Sequence, residues 1–413
     1  MTGGPDLVIA GGGPAGLMAG LLFARAGVRT RVLEKHGDFL RDFRGDTVHP
    51  STLDIFDELG LLDALLALPH DKVRDIGGVV GGREWRIADF THLPGRGTFV
   101  AMMPQWHFLD FVAGVAARMP TFELRRSCEA VGLIEEHGRI AGVRDAAGGT
   151  HRARLTILAD GRGSRLRTDA GLPLEDLGAP IDVLWFRVPK PLTPGNGTKG
   201  YLGGGEMIVC IDRGDYFQCA RVIEKGGAER VRSGGLAAFR AAVAATAPVL
   251  AEGIAAVNHW DQVKLLSVSL DRLTRWHRPG LLAIGDAAHA ISPVGGVGIN
   301  LAVQDAVAAA NVLAGSMAAG GDPDPLLERV QARRMLPVRV IQGMQRAVHR
   351  RVLGPVLAGR VTGAPWPLRV LNAVPVLQRV PARVLGLGVR REHVRSPAAL
   401  PLTPPASGHV ATA

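Results

Sequence analysis

The first residues of the chain change from apolar to glycine-rich and back in a regular order. Residues 6–10 form a short apolar run, residues 11–16 are rich in glycine, and residues 17–24 are apolar with small side chains at helical spacing. A second strand is predicted at 29–33 and ends in Glu34. This pattern predicts a strand, a tight turn, a helix and a second strand, which is the opening unit of a parallel α/β sheet.

Farther along the chain the hydrophobic pattern predicts two kinds of structure. Apolar runs predict strands at 153–158 and 281–284 and helices at 106–118, 301–313 and 325–350. Between them, short strands are predicted at 182–188, 207–211 and 216–223, with a hairpin turn at 212–215. A chain of 413 residues is long enough for two domains, so we expect an α/β domain interleaved with a β-rich one.

The C-terminal part of the chain is basic and then low in complexity. Between Arg346 and Arg395 arginines are interleaved with apolar pairs, and Glu392 is the single acidic residue. This pattern is typical of helices that cover the main body with a solvated basic face, and also of a weak contact with a membrane surface. Residues 396–413 are rich in Pro, Ala, Ser and Thr, which predicts a disordered tail.

Composition excludes several classes of protein. The net charge is +10, but no basic stretch rich in aromatic residues is present, so we expect no nucleic-acid partner. Cys128, Cys210 and Cys219 form no Cys-x-x-Cys pair, which argues against a disulfide framework and against a metal site. The first residues lack a basic segment followed by a long apolar run, so a cytoplasmic location is expected.

The glycine-rich turn has the residues that a dinucleotide requires. Gly11 permits a tight turn, Gly13 lets a pyrophosphate approach the backbone, and Gly16 lets the helix pack closely on the strand. The helix N-terminus then offers free N–H groups to phosphate. Glu34 lies 21 residues after Gly13, near the spacing at which an acid receives the ribose hydroxyls. An acid at this place disfavours a 2′-phosphate, so FAD or NAD is expected here rather than NADP.

Two further motifs follow predicted strands. Asp160-Gly161 comes directly after the strand at 153–158, and Gly285-Asp286 comes after the strand at 281–284. Pro293 and the glycine-rich stretch 295–300 then lead into the long apolar helix. The Asp286 carboxylate lies at the carboxyl end of a parallel strand, where ligands of such sheets bind.

These three motifs, in this order and at this wide spacing, resemble those of FAD-dependent monooxygenases of the p-hydroxybenzoate hydroxylase-like family, the group A aromatic hydroxylases, over residues 6–315. The resemblance implies an α/β fold in which a Rossmann-like FAD-binding domain of the GR2 type is interleaved with a β-sheet substrate domain, followed by C-terminal helices. The FAD-binding domain would comprise 1–75, 101–178 and 275–318, and the substrate domain 76–100 and 179–274. A helical region would span 319–395, with the tail at 396–413.

The resemblance also implies which residues hold the cofactor. Arg44 matches an arginine beside the flavin that helps to position it, and Gln105 matches a position that is often Arg. No side-chain catalytic group is expected, because the flavin carries out the chemistry. The expected cofactor-binding residues are Gly11, Gly13, Pro14, Ala15, Gly16, Glu34, Lys35, Arg44, Gln105, Asp160, Gly285, Asp286, Pro293, Gly296, Val297, Gly298, Ile299 and Asn300.

The implied activity is hydroxylation or epoxidation of a hydrophobic, aromatic or polycyclic small molecule by a flavin C4a-hydroperoxide, with NAD(P)H and O2 as co-substrates. A monomer or homodimer is expected. On the predicted substrate sheet, Arg187, Gln218 and Arg221 are candidates for lining the pocket, although each residue of this kind more often lies on the solvent face of a sheet. Two alternatives stay open: a dehydrogenase or reductase of the same fold that inserts no oxygen, and a flavin-binding or membrane-associated protein without turnover.

Overall fold

The computed structural model describes residues 4–40, 46–190, 198–360 and 363–405. The strands are β1 (Leu7–Ala10), β2 (Thr30–Leu33), β3 (Thr47–Val48), β4 (Asp71–Val73), β5 (Asp75–Val80), β6 (Arg83–Asp89), β7 (Val100–Met102), β8 (Phe122–Arg125), β9 (Ala130–Glu136), β10 (Arg139–Asp145), β11 (Thr150–Arg152), β12 (Leu155–Leu158), β13 (Leu174–Asp176), β14 (Ile181–Pro189), β15 (Lys199–Gly203), β16 (Glu206–Asp212), β17 (Tyr216–Glu224), β18 (Lys264–Ser267), β19 (Asp271–Leu273), β20 (His277–Arg278) and β21 (Leu281–Ala283).

The helices are α1 (Pro14–Arg25), α2 (Pro50–Glu58), α3 (Leu62–Leu66), α4 (Gln105–Ala116), α5 (Arg165–Asp169), α6 (Ala228–Ser233), α7 (Gly235–Thr246), α8 (Gly298–Ala318), α9 (Leu327–Val348), α10 (Gly354–Leu357), α11 (Trp366–Ala373) and α12 (Arg379–Gly386). A π-helical turn at His349–Leu353 joins α9 to α10. Short 3-10 turns fill several of the connections, including the one at Pro375–Gln378 between α11 and α12.

The central sheet has the order β20-β21-β12-β1-β2-β8. All of its neighbouring pairs are parallel except β20 with β21. The strands β1, β12 and β21 are wholly buried, as expected for parallel strands that helices cover on both faces. The mixed α/β architecture predicted from the sequence is therefore confirmed.

Helix α8 forms the middle of the core on one face of this sheet. It packs along α1, and its side chains join those of β1 and β21 in the main apolar cluster. It is the one helix among the described residues that is long and apolar enough to cross a membrane, but 72% of its most apolar stretch is buried. We therefore interpret α8 as a core helix.

The second large sheet has the order β18-β14-β17-β16-β15-β5-β6. Its pairs are antiparallel apart from β15 with β5. Helix α7 covers one face through Phe239, which packs on Phe186 with ring centroids 5.2 Å apart. The other face is apolar as well, and it faces β7, the turn before α8 and the C-terminal helices.

The expectation of a disordered tail from residue 396 is wrong for 396–405. The Leu400 N–H donates to the Arg25 carbonyl at 3.0 Å, and Leu400 and Leu402 pack against the main core. The overall composition of this stretch hides these two leucines, whose burial offsets the entropy lost on ordering the chain. Residues 406–413 lie outside the described residues.

Candidate functional site

The predicted cofactor motifs meet at one edge of the central sheet. The strands β21, β12, β1 and β2 are consecutive neighbours and run parallel. Asp286, Asp160, Gly11 and Glu34 each follow the carboxyl end of one of these strands within three residues. Segments separated by as many as 275 positions (286 − 11) are therefore placed side by side, in the crevice where open α/β sheets bind ligands.

The three glycines of the first turn are required for different reasons. Gly11 has φ +107°, and a Cβ there would lie 2.3 Å from the Ala159 carbonyl oxygen. A Cβ on Gly16 would lie 1.9 Å from the Gly11 carbonyl oxygen. At Gly13 a Cβ would meet no atom within 4 Å. The fold itself thus requires Gly11 and Gly16, whereas Gly13 faces open space that is wide enough for a bound group.

The N-terminus of α1 is open toward this space. Gly13 is the N-cap residue and supplies no side-chain hydrogen bond, and Pro14 and Ala15 begin the helix. The first N–H groups of a helix have no partner within it and carry partial positive charge. A phosphate group would satisfy them, so the turn fits a dinucleotide pyrophosphate.

Glu34 is buried beside the same turn and is held by backbone groups. Its Oε2 atom accepts from the Gly12 N–H at 2.9 Å, and its Oε1 atom accepts from the His36 N–H at 3.0 Å. These bonds fix the carboxylate at the end of β2, where a ribose would lie. Lys35 is exposed, and its charge acts on Asp160.

Asp160 supplies an unsatisfied polar atom in this crevice. Its Oδ1 atom is buried and has no hydrogen-bond partner among the described residues. Burial raises the pKa of Asp160, while Ser164, Arg167 and Lys35 oppose the rise. A buried carboxyl oxygen without a partner costs free energy, so a bound group that donates to it, or a phosphate that accepts from its protonated form, would fit here.

Asp286 follows β21, the direct neighbour of the strand β12 that leads to Asp160. The Arg162 Nε–H donates to the Asp286 Oδ2 atom at 2.9 Å, and both side chains are about one-third exposed. The neighbouring Gly285 has φ +61°, and a Cβ there would lie 2.8 Å from the Ala15 Cβ. The Asp160-Gly161 and Gly285-Asp286 motifs therefore contact each other as well as the first turn.

A buried charge network that the sequence analysis missed supports Gly285 from behind. The Asp305 Oδ2 atom accepts from the Gly285 N–H at 3.0 Å and lies 2.6 Å from His289 Nε2. The Arg334 Nε–H donates to the Asp305 Oδ1 atom at 2.8 Å. Burial by itself would raise the pKa of Asp305, but His289 and Arg334 hold it below its usual value. One signal in the sequence could have revealed this network: Asp305 and Arg334 are charged residues on the apolar faces of two predicted helices.

The glycine-rich turn before α8 contacts the segment that follows residue 45. The Thr47 hydroxyl donates to the Gly296 carbonyl, and a Cβ on Gly296, where φ is +63°, would clash with Thr47. The Asn300 Oδ1 atom accepts from the Thr52 hydroxyl at 2.6 Å. The neighbouring His49 is fully buried, which lowers its pKa to about 4.

The N-terminus of α8 is uncapped and faces the same crevice. Val297 is its N-cap residue without a side-chain bond, and Gly298 and Ile299 form the first turn of a helix of 21 residues. Pro293 precedes this turn and is half-buried. The uncapped amides would favour a bound group that carries negative charge.

Gln105 begins α4, as predicted, beside a buried ion pair. Its backbone N–H and the Gln218 side chain hydrogen-bond the Asp46 carboxylate. The carboxylate also pairs with Arg213 from the hairpin turn of the second sheet, and both side chains of this pair are less than one-tenth exposed. Burial raises the pKa of Asp46 against the opposing effect of Arg213. Arg44 itself lies outside the described residues.

The face of the second sheet that points toward the crevice is apolar with one polar end. Ala220 and Val222 cluster with Leu353 of the π-helical turn and with Val294 of the turn before α8. At the polar end the Arg187 guanidinium lies 5.2 Å from the Tyr216 ring centroid, and Gln218 is the cross-strand neighbour of Arg187.

Arg221 does not belong to this face, so its prediction as a pocket residue is wrong. It lies over the Phe239 ring on the α7 side and forms a bidentate ion pair with Glu206. Alternate residues of a strand point to opposite faces, and Arg221 is three residues from Gln218 and therefore on the opposite face.

One group of potential metal ligands lies away from the crevice. The Asp145 Oδ2 atom is 2.8 Å from His151 Nε2 and 3.6 Å from Cys128 Sγ. The Arg31 guanidinium, which can only donate, lies 3.3 Å from His151 Nδ1. Nδ1 is therefore the acceptor, and the proton on Nε2 points at Asp145. This tautomer favours a hydrogen-bonded group over a ligand set.

Comparison with known proteins agrees with this geometry. Residues 5–343 match the family model described as FAD binding domain. The 6-methylpretetramide 4-monooxygenase of Streptomyces rimosus is 32% identical to this chain over 91% of the chain and 90% of its own length.

Two solved structures share the fold. PqsL of Pseudomonas aeruginosa superposes with a TM-score of 0.74 at 21% identity and covers 87% of this chain and 99% of its own. The anhydrotetracycline hydroxylase OxyS of Streptomyces rimosus superposes with a TM-score of 0.73 at 23% identity and covers 94% of this chain and 77% of its own.

Proposed function

Since the chain belongs to the FAD-binding-domain family, whose model matches residues 5–343, we propose that it is an FAD-dependent monooxygenase that uses NAD(P)H and O2. Its substrate would be a hydrophobic, aromatic or polycyclic small molecule that is hydroxylated or epoxidised. The family and the cofactor predicted from the sequence are confirmed by this match and by the relative that is 32% identical over nearly the whole chain.

The crevice has the groups that FAD requires. The open turn at Gly13, the uncapped N-terminus of α1 and the buried Glu34 would hold the adenosine pyrophosphate. Asp286 would accept hydrogen bonds from ribityl hydroxyls. The unsatisfied Asp160 oxygen would accept one from a hydroxyl or, when protonated, donate one to the pyrophosphate. Once reduced by NAD(P)H, bound FAD supplies the activation of O2 from which one oxygen atom is inserted into the substrate.

The remaining chemistry requires the protein to orient the substrate and to exclude water. The observation that carries this proposal is the apolar face of the second sheet, which meets the turn before α8 through Val294. This contact brings a large apolar wall to the edge of the cofactor crevice. Leu353 and its neighbours already cover Ala220 and Val222, so the place for a flat hydrophobic molecule is at the partly buried Trp185 and Val209, which border both apolar clusters of this face. The group of Arg187, Tyr216 and Gln218 at the polar end fits a substrate that carries oxygen atoms at one end.

The names of the relatives favour oxygen insertion over the alternative of a dehydrogenase or reductase. The relative that covers 91% of the chain is a monooxygenase of 6-methylpretetramide. Another relative, from Streptomyces rimosus and 30% identical, is named 12-dehydrotetracycline 5-monooxygenase/anhydrotetracycline 6-monooxygenase. We propose that this chain acts on a polycyclic phenolic molecule of the same general class.

We also propose how the enzyme works in the cell. It would act in the cytoplasm as a monomer or homodimer, and its basic C-terminal region would touch a membrane surface weakly. Residues 349–391 contain eight arginines and no acidic residue, which supports attraction to a negatively charged surface.

The proposed activity is tested by adding candidate substrates to the FAD-loaded protein. We expect slow NAD(P)H oxidation without substrate, faster oxidation and O2 uptake with a polycyclic phenol, and release of hydrogen peroxide with a poor analogue. A panel of single-ring, linear polycyclic and non-aromatic hydrophobic compounds would define the class. Stimulation by none of them, or NAD(P)H oxidation that uses an artificial acceptor but no O2, would contradict the proposal.

A further inference from the structure

The helices after residue 365 expose a continuous apolar surface. It consists of α11, the 3-10 turn at Pro375–Gln378 and α12, which together are called the C-terminal face here. Its most exposed apolar side chains are Trp366 at 75%, Val380 at 63% and Val376 at 55%. Val370, Val374 and Leu377 add to the same surface. Soluble proteins rarely leave so many neighbouring large apolar side chains in water without a use for them.

The opposite side of these helices is packed firmly on the second sheet. The Asn372 side chain donates to the Arg86 carbonyl at 2.8 Å and accepts from the Arg86 backbone N–H at 3.0 Å. It therefore makes the two backbone hydrogen bonds that a neighbouring strand would make with this residue of edge strand β6. Ala382 and Leu387 join Phe90 in an apolar cluster with the sheet. Because the inner side is anchored, the exposed side has a defined position on the molecule.

The C-terminal face is basic as well as apolar. Arg369, Arg379, Arg383 and Arg390 are exposed, and residues 349–391 contain no acidic residue. Among the described residues, Asp54 pairs with Arg391 beyond the edge of this surface, while Glu392 is buried against Arg333. The carboxylates on β5 and β6, next to these helices, are Asp75, Glu84 and Asp89, and they pair with Arg86, Lys199 and His92. The four exposed arginines of the C-terminal face therefore form no ion pair among the described residues.

These features distinguish between two occupants of the surface. A second copy related by a two-fold axis would place these arginines opposite one another, which opposes association. An anionic bilayer offers negative headgroups to the arginines and an apolar region to the valines, and tryptophan prefers the boundary between the two. Charge complementarity thus favours a lipid surface.

We propose that the C-terminal face docks on an anionic membrane surface, with Trp366, Val376 and Val380 entering the headgroup region and the exposed arginines contacting the headgroups. Docking would hold edge strand β6 of the second sheet close to the bilayer, from which a hydrophobic substrate could be taken. The docking deepens the membrane contact proposed above and does not depend on the proposed monooxygenase activity, whereas the role in substrate supply rests on that activity.

The docking is tested by flotation of the full-length, FAD-loaded protein with vesicles. One set contains phosphatidylcholine alone, and the other contains phosphatidylcholine mixed with phosphatidylglycerol. We expect at least about tenfold stronger binding to the anionic vesicles and weaker binding at high salt, because the arginine contribution is screened. Equal binding to both sets, or binding to neither, would overturn the proposal.

Variants assign the binding to this surface. The triple variant Trp366→Ser, Val376→Ser, Val380→Ser should lose binding, and Arg379→Gln with Arg383→Gln should lose the preference for anionic vesicles. The matched control Val131→Ser with Leu174→Ser removes two side chains that are 46% and 47% exposed elsewhere, and it should bind as the parent does. Unchanged binding by the triple variant would refute the assignment.

Two further measurements separate the rival explanations. A parent protein that elutes as a dimer, becomes a monomer in the triple variant and binds no vesicle would show a second copy on this surface and overturn the proposal. NAD(P)H oxidation measured on the same preparations tests the proposed function independently. Absence of oxidation together with strong binding to anionic vesicles would remove the proposed function and leave the docking intact.

Discussion

At the scale of single residues, the glycines of the first turn separate what the fold needs from what the ligand needs. A Cβ on Gly16 would lie 1.9 Å from a backbone oxygen, whereas a Cβ on Gly13 would meet nothing within 4 Å. The motif predicts all of these glycines, because tight turns and phosphate approach both need them. The motif also predicts the separate role of Gly13, and the structure adds the distances that separate it from Gly11 and Gly16.

Gly13→Ala should therefore weaken FAD binding without unfolding the protein. The new methyl group occupies the approach path of the pyrophosphate, and φ at this position is −77°, which alanine adopts freely. We expect at least about tenfold weaker FAD affinity and a loss of stability no greater than about 1 kcal/mol, the scale of an N-cap change. Flavin titration and thermal unfolding of the apoprotein measure the two effects, and Gly16→Ala is the contrasting variant that should fail to fold.

Asp286→Ala should weaken FAD retention by the loss of a charge-assisted hydrogen bond. Such a bond contributes on the order of 1.5–3 kcal/mol, so the dissociation constant should rise by about ten- to a hundredfold. Asp169→Ala, at an exposed position on α5, is the matched control. If the two variants hold flavin equally well in a titration, Asp286 is not part of the site.

His49 gives the apoprotein a defined dependence on pH. Its pKa is lowered by burial from 6.5 to about 4, so the unfolded chain binds more protons than the folded one between these values. Stability should therefore fall as the pH drops, by about 2 kcal/mol between pH 7 and pH 5 from this residue alone. Urea unfolding at pH 7 and pH 5 measures this loss of stability, and His49→Gln should lack the part that His49 contributes. The control His259→Gln changes an exposed histidine and should leave the pH dependence of the free energy of unfolding as in the parent. If the parent and His49→Gln show the same pH dependence, His49 does not have a lowered pKa.

At the scale of elements, the hairpin between β16 and β17 links the second sheet to the cofactor side. The sequence predicts its strands and its turn closely, because short apolar runs bounded by the turn residues Asp212-Arg213-Gly214-Asp215 are typical of a hairpin between buried strands. It does not predict that Arg213 in this turn is buried against Asp46, since a charged turn residue is ordinarily solvated. For a similar reason the sequence does not show that Arg221 lies on the α7 side of the sheet. Both faces of this sheet are apolar, and which one borders the cofactor crevice depends on what covers each of them.

Arg213→Gln should destabilise the protein because it leaves the buried Asp46 carboxylate without its cation. Breaking one side of a buried pair costs about 3–5 kcal/mol. The difference in the free energy of unfolding between the variant and the parent should become smaller as the pH falls. A protonated Asp46 is neutral and no longer requires a positive partner. Urea unfolding measures this, and adding Asp46→Asn to Arg213→Gln should restore part of the lost stability. A single variant as stable as the parent would show that the pair does not anchor the hairpin.

At the scale of the whole molecule, parallel strands bring distant motifs to one edge and a second sheet supplies an apolar wall beside them. The order of the motifs predicts this arrangement, because strands of a parallel sheet end at the same edge. The Asp305 network and the Asp46 pair depend on packing between distant segments. No local pattern reports such packing, which is why these features emerge only from the structure.

As a monooxygenase, the protein would insert one atom of O2 into its substrate. The most direct test is a turnover experiment under oxygen-18 gas with NAD(P)H and a polycyclic phenol that stimulates oxidation, followed by mass spectrometry of the product. A monooxygenase should give a product that carries one oxygen-18 atom. A parallel reaction in oxygen-18 water with ordinary O2 should give unlabelled product. A converted product without label from O2, or with its new oxygen from water, would contradict the monooxygenase assignment and favour a dehydrogenase or reductase of the same fold.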